Sequence, residues 1–214
     1  MDDYYVPALL FSLESRVANS RFIASISPAF SVEDAKRFIK TIRKKYADAT
    51  HNVPVYIIGH GSSHISHSSD NGEPSGTAGR PSLAVLKGSG LGDAVLVITR
   101  YFGGTKLGTG GLVKAYGDSA RGVIAAVPRA KKILVHIVSL ECPYPLYEQL
   151  IRAIRKYQGE IISEDFTEKI FLTFSISVKS YDLTISVIRE LSNGQIIPAI
   201  IKSDQFSLVR ADKH

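Results

Sequence analysis

Cysteine is nearly missing from this sequence: Cys142 is the single one among 214 residues. That scarcity excludes an internal disulfide and any metal centre built from several thiolates. Standing before Pro143 at the start of an expected helix, Cys142 reads as apolar filler rather than as a nucleophile. Long hydrophobic runs are missing too, and none approaches the ~20 residues of a membrane-spanning helix. The opening Met1-Asp2-Asp3-Tyr4-Tyr5 has neither the positive flank nor the apolar stretch of a secretory signal. The expectation is a cytoplasmic chain with no membrane partner.

Several catalytic signatures are also lacking. The phosphate-binding pattern Gly-x-x-x-x-Gly-Lys-Ser/Thr does not occur, and Gly108-Thr109-Gly110 is followed by Val113 where a dinucleotide fingerprint needs glycine. There is no Gly-x-Ser-x-Gly elbow, and Ser75 and Ser119 have no His/Asp partners at a supporting spacing. His60, His64 and His67 sit among helix-breaking glycines and serines, and on a strand His64 and His67 point to opposite faces, which argues against a metal. Neither a cofactor nor a metal is expected, and the balance leans away from an enzyme.

What is present is a hydrophobic content of 44%, enough for packed cores, and a formal net charge of +6. The surplus is uneven. Residues 1–130 carry 15 basic against 10 acidic side chains, and residues 131–214 carry 11 against 10. A basic first part favours a polyanionic partner such as RNA, and also suits a merely solvated surface.

The periodicity predicts an α+β chain in two domains, 1–130 and 131–214. Leu9–Arg16 and Arg21–Ser27 read as a hairpin turning at Ala18-Asn19-Ser20. Ser31 with Asp34 resembles a capping box, and Ala35, Phe38, Ile39, Ile42 and Tyr46 recur at helical spacing. Lys36, Lys40 and Lys44 line the outer face of that helix. Val53–Ile58 is a strand that a segment around Ile65 can pair with, and Pro81–Leu86 is a short helix ending at Gly88. The apolar run Ala94–Thr99 reads as a strand covered on both faces. A helix over 111–127, with Leu112, Ala115, Tyr116, Ala120, Val123 and Ile124 inward, is stopped by Pro128. After that the order is strand 133–140, helix 145–157, strands 161–164 and 170–178, helix 183–191 and strand 206–209. This β-α-β-β-α-β order is that of a ferredoxin-like module.

Two glycine-rich blocks are what ordinary folding leaves unexplained. In the first, Asp70 to Pro81, Asn71-Gly72 permits a tight turn flanked by the carboxylates of Asp70 and Glu73, and Thr77 or Gly79 can cap the following helix. The two carboxylates suit metal binding or acid–base chemistry, or they accept backbone N–H groups and pair with Arg100 or Lys106 to stiffen the loop. The second block, Arg100 to Leu112, runs from strand through Gly103, Gly104, Gly110 and Gly111 into a helix. That layout presents free N–H groups and a positive helix end to an anion, with Arg80, Arg100, Lys106 and Lys114 nearby. Tight packing of loop on loop is the alternative.

Together the blocks, with Ser20-Arg21-Phe22-Ile23 and the stretch from Leu107 to Tyr116, resemble the IMPACT family in its bacterial two-domain, YigZ-like branch, over essentially the whole chain. Two positions depart from the family pattern: Asn19 stands where lysine is usual, and Asn71 where a second aspartate is usual. Asn71 weakens any reading of Asp70 as half of a metal site. The resemblance implies a first domain like the second domain of ribosomal protein S5 and a ferredoxin-like second domain similar to domain V of elongation factor G. Eukaryotic members regulate translation through a ribosome-associated activator, but with a further domain this chain lacks, so that partner is not carried over. The function expected is a non-enzymatic RNA- or ribosome-associated regulator of translation, with Arg80, Arg100, Lys106 and Lys114 on phosphates and Phe102 or Tyr101 for base stacking. The alternatives are a phosphate- or nucleotide-binding enzyme of the same fold superfamily as small-molecule kinases, and a module that meets a protein partner through its C-terminal domain.

Overall fold

The computed structural model describes residues 3–210, which form two compact α+β units, one centred on Tyr4–Lys131 and the other on Lys132–Leu208. The first begins with β1 (Tyr4–Pro7), whose Tyr4 and Val6 pack on Ala130, and continues through the hairpin β2 (Phe11–Val17) and β3 (Ser20–Pro28). Ala18 and Asn19 turn that hairpin at φ of 43° and 65°, the left-handed pair that a two-residue loop demands.

Helix α1 (Val32–Lys45) starts where Ser31 Oγ accepts the Asp34 N–H at 3.0 Å and Asp34 Oδ2 accepts the Phe30 N–H at 3.2 Å. Its buried side is Ala35, Ile39 and Ile42, and Lys36, Lys40 and Lys44 are exposed. Next come β4 (His51–Ile58), β5 (Ile65–Ser68), α2 (Gly79–Gly88), β6 (Ala94–Tyr101) and α3 (Gly108–Ala126). The strands form one sheet in the order β2-β3-β6-β4-β5, and its four pairings are antiparallel.

The unbroken apolar run of β6 has a direct cause. Ala94, Leu96 and Ile98 face the core shared with Leu86 of α2 and Leu112, Tyr116 and Val123 of α3. Val95 and Val97, on the other side, pack against Ala35, Ile39 and Ile42 of α1. Each of the larger side chains is worth roughly 1.5–3 kcal/mol on burial.

The second unit runs β7 (Arg129–Cys142), α4 (Tyr144–Lys156), β8 (Glu160–Phe166), β9 (Ile170–Ser177), α5 (Tyr181–Leu191) and β10 (Ala199–Arg210). β9 pairs antiparallel with β7 and with β8, and β10 pairs with β7. Leu150, Ile154, Ile185 and Ile188 of the helices close over Ile170, Leu172, Phe174 and Ile176. Cys142 is fully buried in this core, and burial pushes its thiol pKa up. Among the described residues no helix is long and apolar enough to cross a membrane.

Candidate functional site

The two glycine blocks meet at the end of β6. Strand register sets Arg100 between Phe22 of β3 and His51 of β4, and alternation turns it to the same face as Ile98. That face belongs to the core, so the guanidinium is drawn inward and the residue is only 4% exposed. A charge there must be paired. Arg100 Nη1 donates to Glu73 Oε1 at 2.7 Å, and the Tyr116 hydroxyl donates to the same oxygen at 2.7 Å. Arg100 Nη2 reaches Ser20 Oγ at 3.3 Å, which also receives the Gly103 N–H at 3.3 Å. His51 Nε2 lies 3.8 Å from Glu73 Oε1, and its Nδ1 is 3.0 Å from the Asn71 carbonyl oxygen. Burial and then the Glu73 bond raise the Tyr116 pKa far above its usual value, so the phenol stays a donor. Above Arg100 the half-exposed Phe102 ring lies 5.6 Å from the guanidinium, and Phe22 lies 5.6 Å away within the core.

The first block is shaped to deliver Glu73 inward. Asn71 and Gly72 adopt φ of 46° and 90°, and the turn closes when the Glu73 N–H donates to the Asp70 carbonyl at 3.1 Å. Asp70 then reaches forward. Its Oδ2 accepts the Gly76 N–H at 2.8 Å, and its Oδ1 accepts those of Ala78 at 3.0 Å and Gly79 at 2.8 Å. Burial pushes the Asp70 pKa up, but these backbone donors and the Arg80 charge outweigh it and leave the carboxyl below its ordinary value. The expectation that Thr77 or Gly79 caps α2 needs correction. The cap position is Ala78, Gly79 is already helical, and the Thr77 hydroxyl donates to the Pro74 carbonyl at 2.7 Å. A carboxylate eight and nine residues upstream satisfies the free N–H groups and the positive helix end instead.

Gly103 is fixed by proximity: a Cβ there would stand 2.1 Å from the Asn19 carbonyl carbon. The second block is therefore pressed against the β2–β3 turn. Gly104 at φ 87° and Gly108 at φ 71° turn the chain into α3, which begins three residues earlier than the sequence pattern predicts. Gly110 and Gly111 thus lie in its first turn.

The expected site residues fall into two sets. Asp70, Glu73 and Arg100 are joined internally, and Arg100, expected on phosphates, is withdrawn from the surface because its charge is committed to Glu73. Lys106, the other candidate partner for the carboxylates, is exposed, as are Lys114, Arg80, Gly104 and Gly110. The first turn of α3 has no side-chain cap and no acidic residue. Sequence reasoning missed Ser20, His51 and Tyr116 as partners of the ion pair. Tyr116 did carry a signal, since a tyrosine within an apolar helical stripe needs a partner for its hydroxyl. The histidines do not converge: His60 stacks on Tyr4, His67 stacks on Tyr56, and among the described residues no three His, Cys, Asp or Glu could hold a metal ion.

The chain is an α+β protein of two units, the first with its two glycine loops locked by a buried arginine–glutamate pair. The chain belongs to the IMPACT family: the model of the Impact N-terminal domain matches residues 18–124, and a domain of unknown function, DUF1949, matches residues 140–195. It is 34% identical to an IMPACT family member of Haemophilus influenzae, covering 94% of this chain and 98% of that one. It is 32% identical to the IMPACT family member YigZ of Escherichia coli, covering 92% and 97%, and 35% identical to YvyE of Bacillus subtilis, covering 84% and 82%. A crystal structure of a protein described as hypothetical is similar at a TM-score of 0.63 and 31% identity, covering 94% of this chain and 98% of that one.

Proposed function

We propose that this protein is a non-enzymatic, RNA- or ribosome-associated regulator of translation, acting in the cytoplasm and holding RNA phosphates with its N-terminal unit. The observation that carries the reading is the start of α3: an uncapped first turn with no acid, opened by glycines, with exposed Lys106 and Lys114 beside it. Backbone N–H groups, a helix N-terminus and free lysines are what a phosphodiester backbone uses. Arg80, exposed on α2, adds a positive charge from the sheet face that α3 also covers, and Phe102 offers a ring to an unpaired base. In this reading Arg100 is a positioning residue that holds the loops. The fold analogies support the same view, since the strand pairings of the C-terminal unit suit a ferredoxin-like module and the N-terminal unit is read as similar to the second domain of ribosomal protein S5.

The test is fluorescence anisotropy of a structured RNA with the whole chain over a range of salt. Affinity is expected to fall steeply with salt, and Lys106→Ala with Lys114→Ala to lower the slope by about 2, one for each phosphate no longer neutralised. Binding that is insensitive to both salt and this double substitution rejects the reading. A protein contact through the C-terminal unit is the second reading, favoured by Phe171 and Ile197, which are large apolar side chains left exposed. A stoichiometric protein partner that survives nuclease and high salt would replace RNA with that contact.

A further inference from the structure

The histidine-rich stretch left over from the site above does build something. His60 and His64, with Lys87 at the end of α2, line a half-open cavity of about 190 Å³ together with Gly61, Gly90 and Leu91. The two rings are held in place. The His60 ring stacks on Tyr4 with centroids 4.8 Å apart and planes 8° from parallel. Tyr4 is fixed by its hydroxyl, which donates to Asp93 Oδ2 at 2.6 Å, and Asp93 Oδ1 accepts the Gly59 N–H at 2.7 Å. The buried carboxylate behind the wall is thus tied to two donors, and no carboxylate stands among the lining residues. His64 Nδ1 lies 2.6 Å from the Gly61 carbonyl oxygen, which can only accept, so Nδ1 carries the proton and Nε2 is the free edge. Lys87 is exposed and has no ion-pair partner among the described residues. Gly61 and Gly90 adopt φ of 69° and 74°, and no atom lies within 4 Å of where a side chain would start, so the backbone there is open to a ligand.

Two imidazoles and one ammonium converge here without an acid, which suits an anion. A metal ion would need a third ligand or a carboxylate that the lining does not supply. The volume of about 190 Å³ gives room for a tetrahedral oxyanion. We propose that this cavity is a phosphate-group site, with Lys87 as the counter-charge and His60 and His64 as ring hydrogen-bond partners. With Nδ1 fixed on Gly61, His64 turns Nε2 to the ligand, where it accepts from a phosphate P–OH. The group is either free inorganic phosphate or a terminal phosphomonoester, and the site uses none of the residues in the RNA-binding proposal.

The experiment titrates inorganic phosphate, methyl phosphate and Zn²⁺ separately into the isotope-labelled whole chain and follows the imidazole resonances of His60 and His64, with His67 as the control outside the cavity. Saturable shifts of His60 and His64 with phosphate, His67 staying still, are expected, and Lys87→Ala should weaken them about tenfold or more. Methyl phosphate binding as well as phosphate identifies a terminal phosphomonoester, and a preference for inorganic phosphate identifies the free ion. The proposal is overturned if neither phosphate compound shifts the two rings saturably, if Zn²⁺ alone does so, or if Lys87→Ala, with its urea midpoint unchanged, binds as tightly as the parent.

Discussion

At Glu73 one oxygen, Oε1, accepts from both Arg100 and Tyr116, in a residue only 8% exposed. Removing the carboxylate leaves a guanidinium buried without a counter-charge, and that costs more than the pair itself contributes. Glu73→Leu is therefore expected to lower unfolding stability by about 3–5 kcal/mol in urea denaturation, and pairing it with Arg100→Met to recover part of the loss. Asp70 acts in the same way on backbone donors. Because its folded pKa lies below the ordinary aspartate value of 3.8, its contribution is present above that pH and is lost as the pH falls through the folded value. Asp70→Asn should thus be less stable than the parent near neutrality and lose less on acidification, as read by urea midpoints from neutral pH down to about 3. The glycines differ from one another. Gly104→Ala forces a side chain into φ 87° and should cost about 1–3 kcal/mol, whereas Gly103→Ala meets backbone at 2.1 Å and is expected not to fold to the parent state, as read by near-UV circular dichroism.

At the scale of elements, β6 is covered on both faces and paired on both edges, so its amides should be among the slowest to exchange. Those of β5, a four-residue strand at the sheet margin, should exchange fast, and deuterium exchange followed by mass spectrometry measures the contrast. Ser31→Ala removes the side-chain acceptor that starts α1 and should cost about 0.5–2 kcal/mol in the same urea denaturation. Long periodic elements were legible from sequence, including the inward face of α3 residue by residue. Short or polar ones were less so. β1 spans four residues and leaves no period to read, and only the end of β10 was recognised because Lys202-Ser203-Asp204-Gln205 breaks its apolar pattern. The cap of α2 escaped for a physical reason, since its acceptor lies eight and nine residues upstream of the groups it serves, beyond the reach of any local capping rule.

For the whole molecule, the α+β class was legible from the order of its elements, and Asp70, Glu73 and Arg100 stood out as charges among glycines against an apolar background, with Arg100 and Lys106 both left open as the partner. The geometry that joins them was not legible, since it depends on register between strands far apart in sequence. β3 pairs residues 21–28 with 94–101, across the length of the N-terminal unit. Such non-local pairing must overcome loop-closure entropy before packing rewards it, which predicts refolding in milliseconds to seconds, measurable by stopped-flow tyrosine fluorescence. The excess of basic side chains over residues 1–130 makes solubility and non-specific adhesion depend on salt for the chain as a whole. The close approach of Gly103 to the β2–β3 turn also has a consequence for anyone engineering this protein. A tag, epitope or circular-permutation break between Ala18 and Asn19 looks harmless on an exposed two-residue hairpin tip, yet it would pry the second glycine block off its seat.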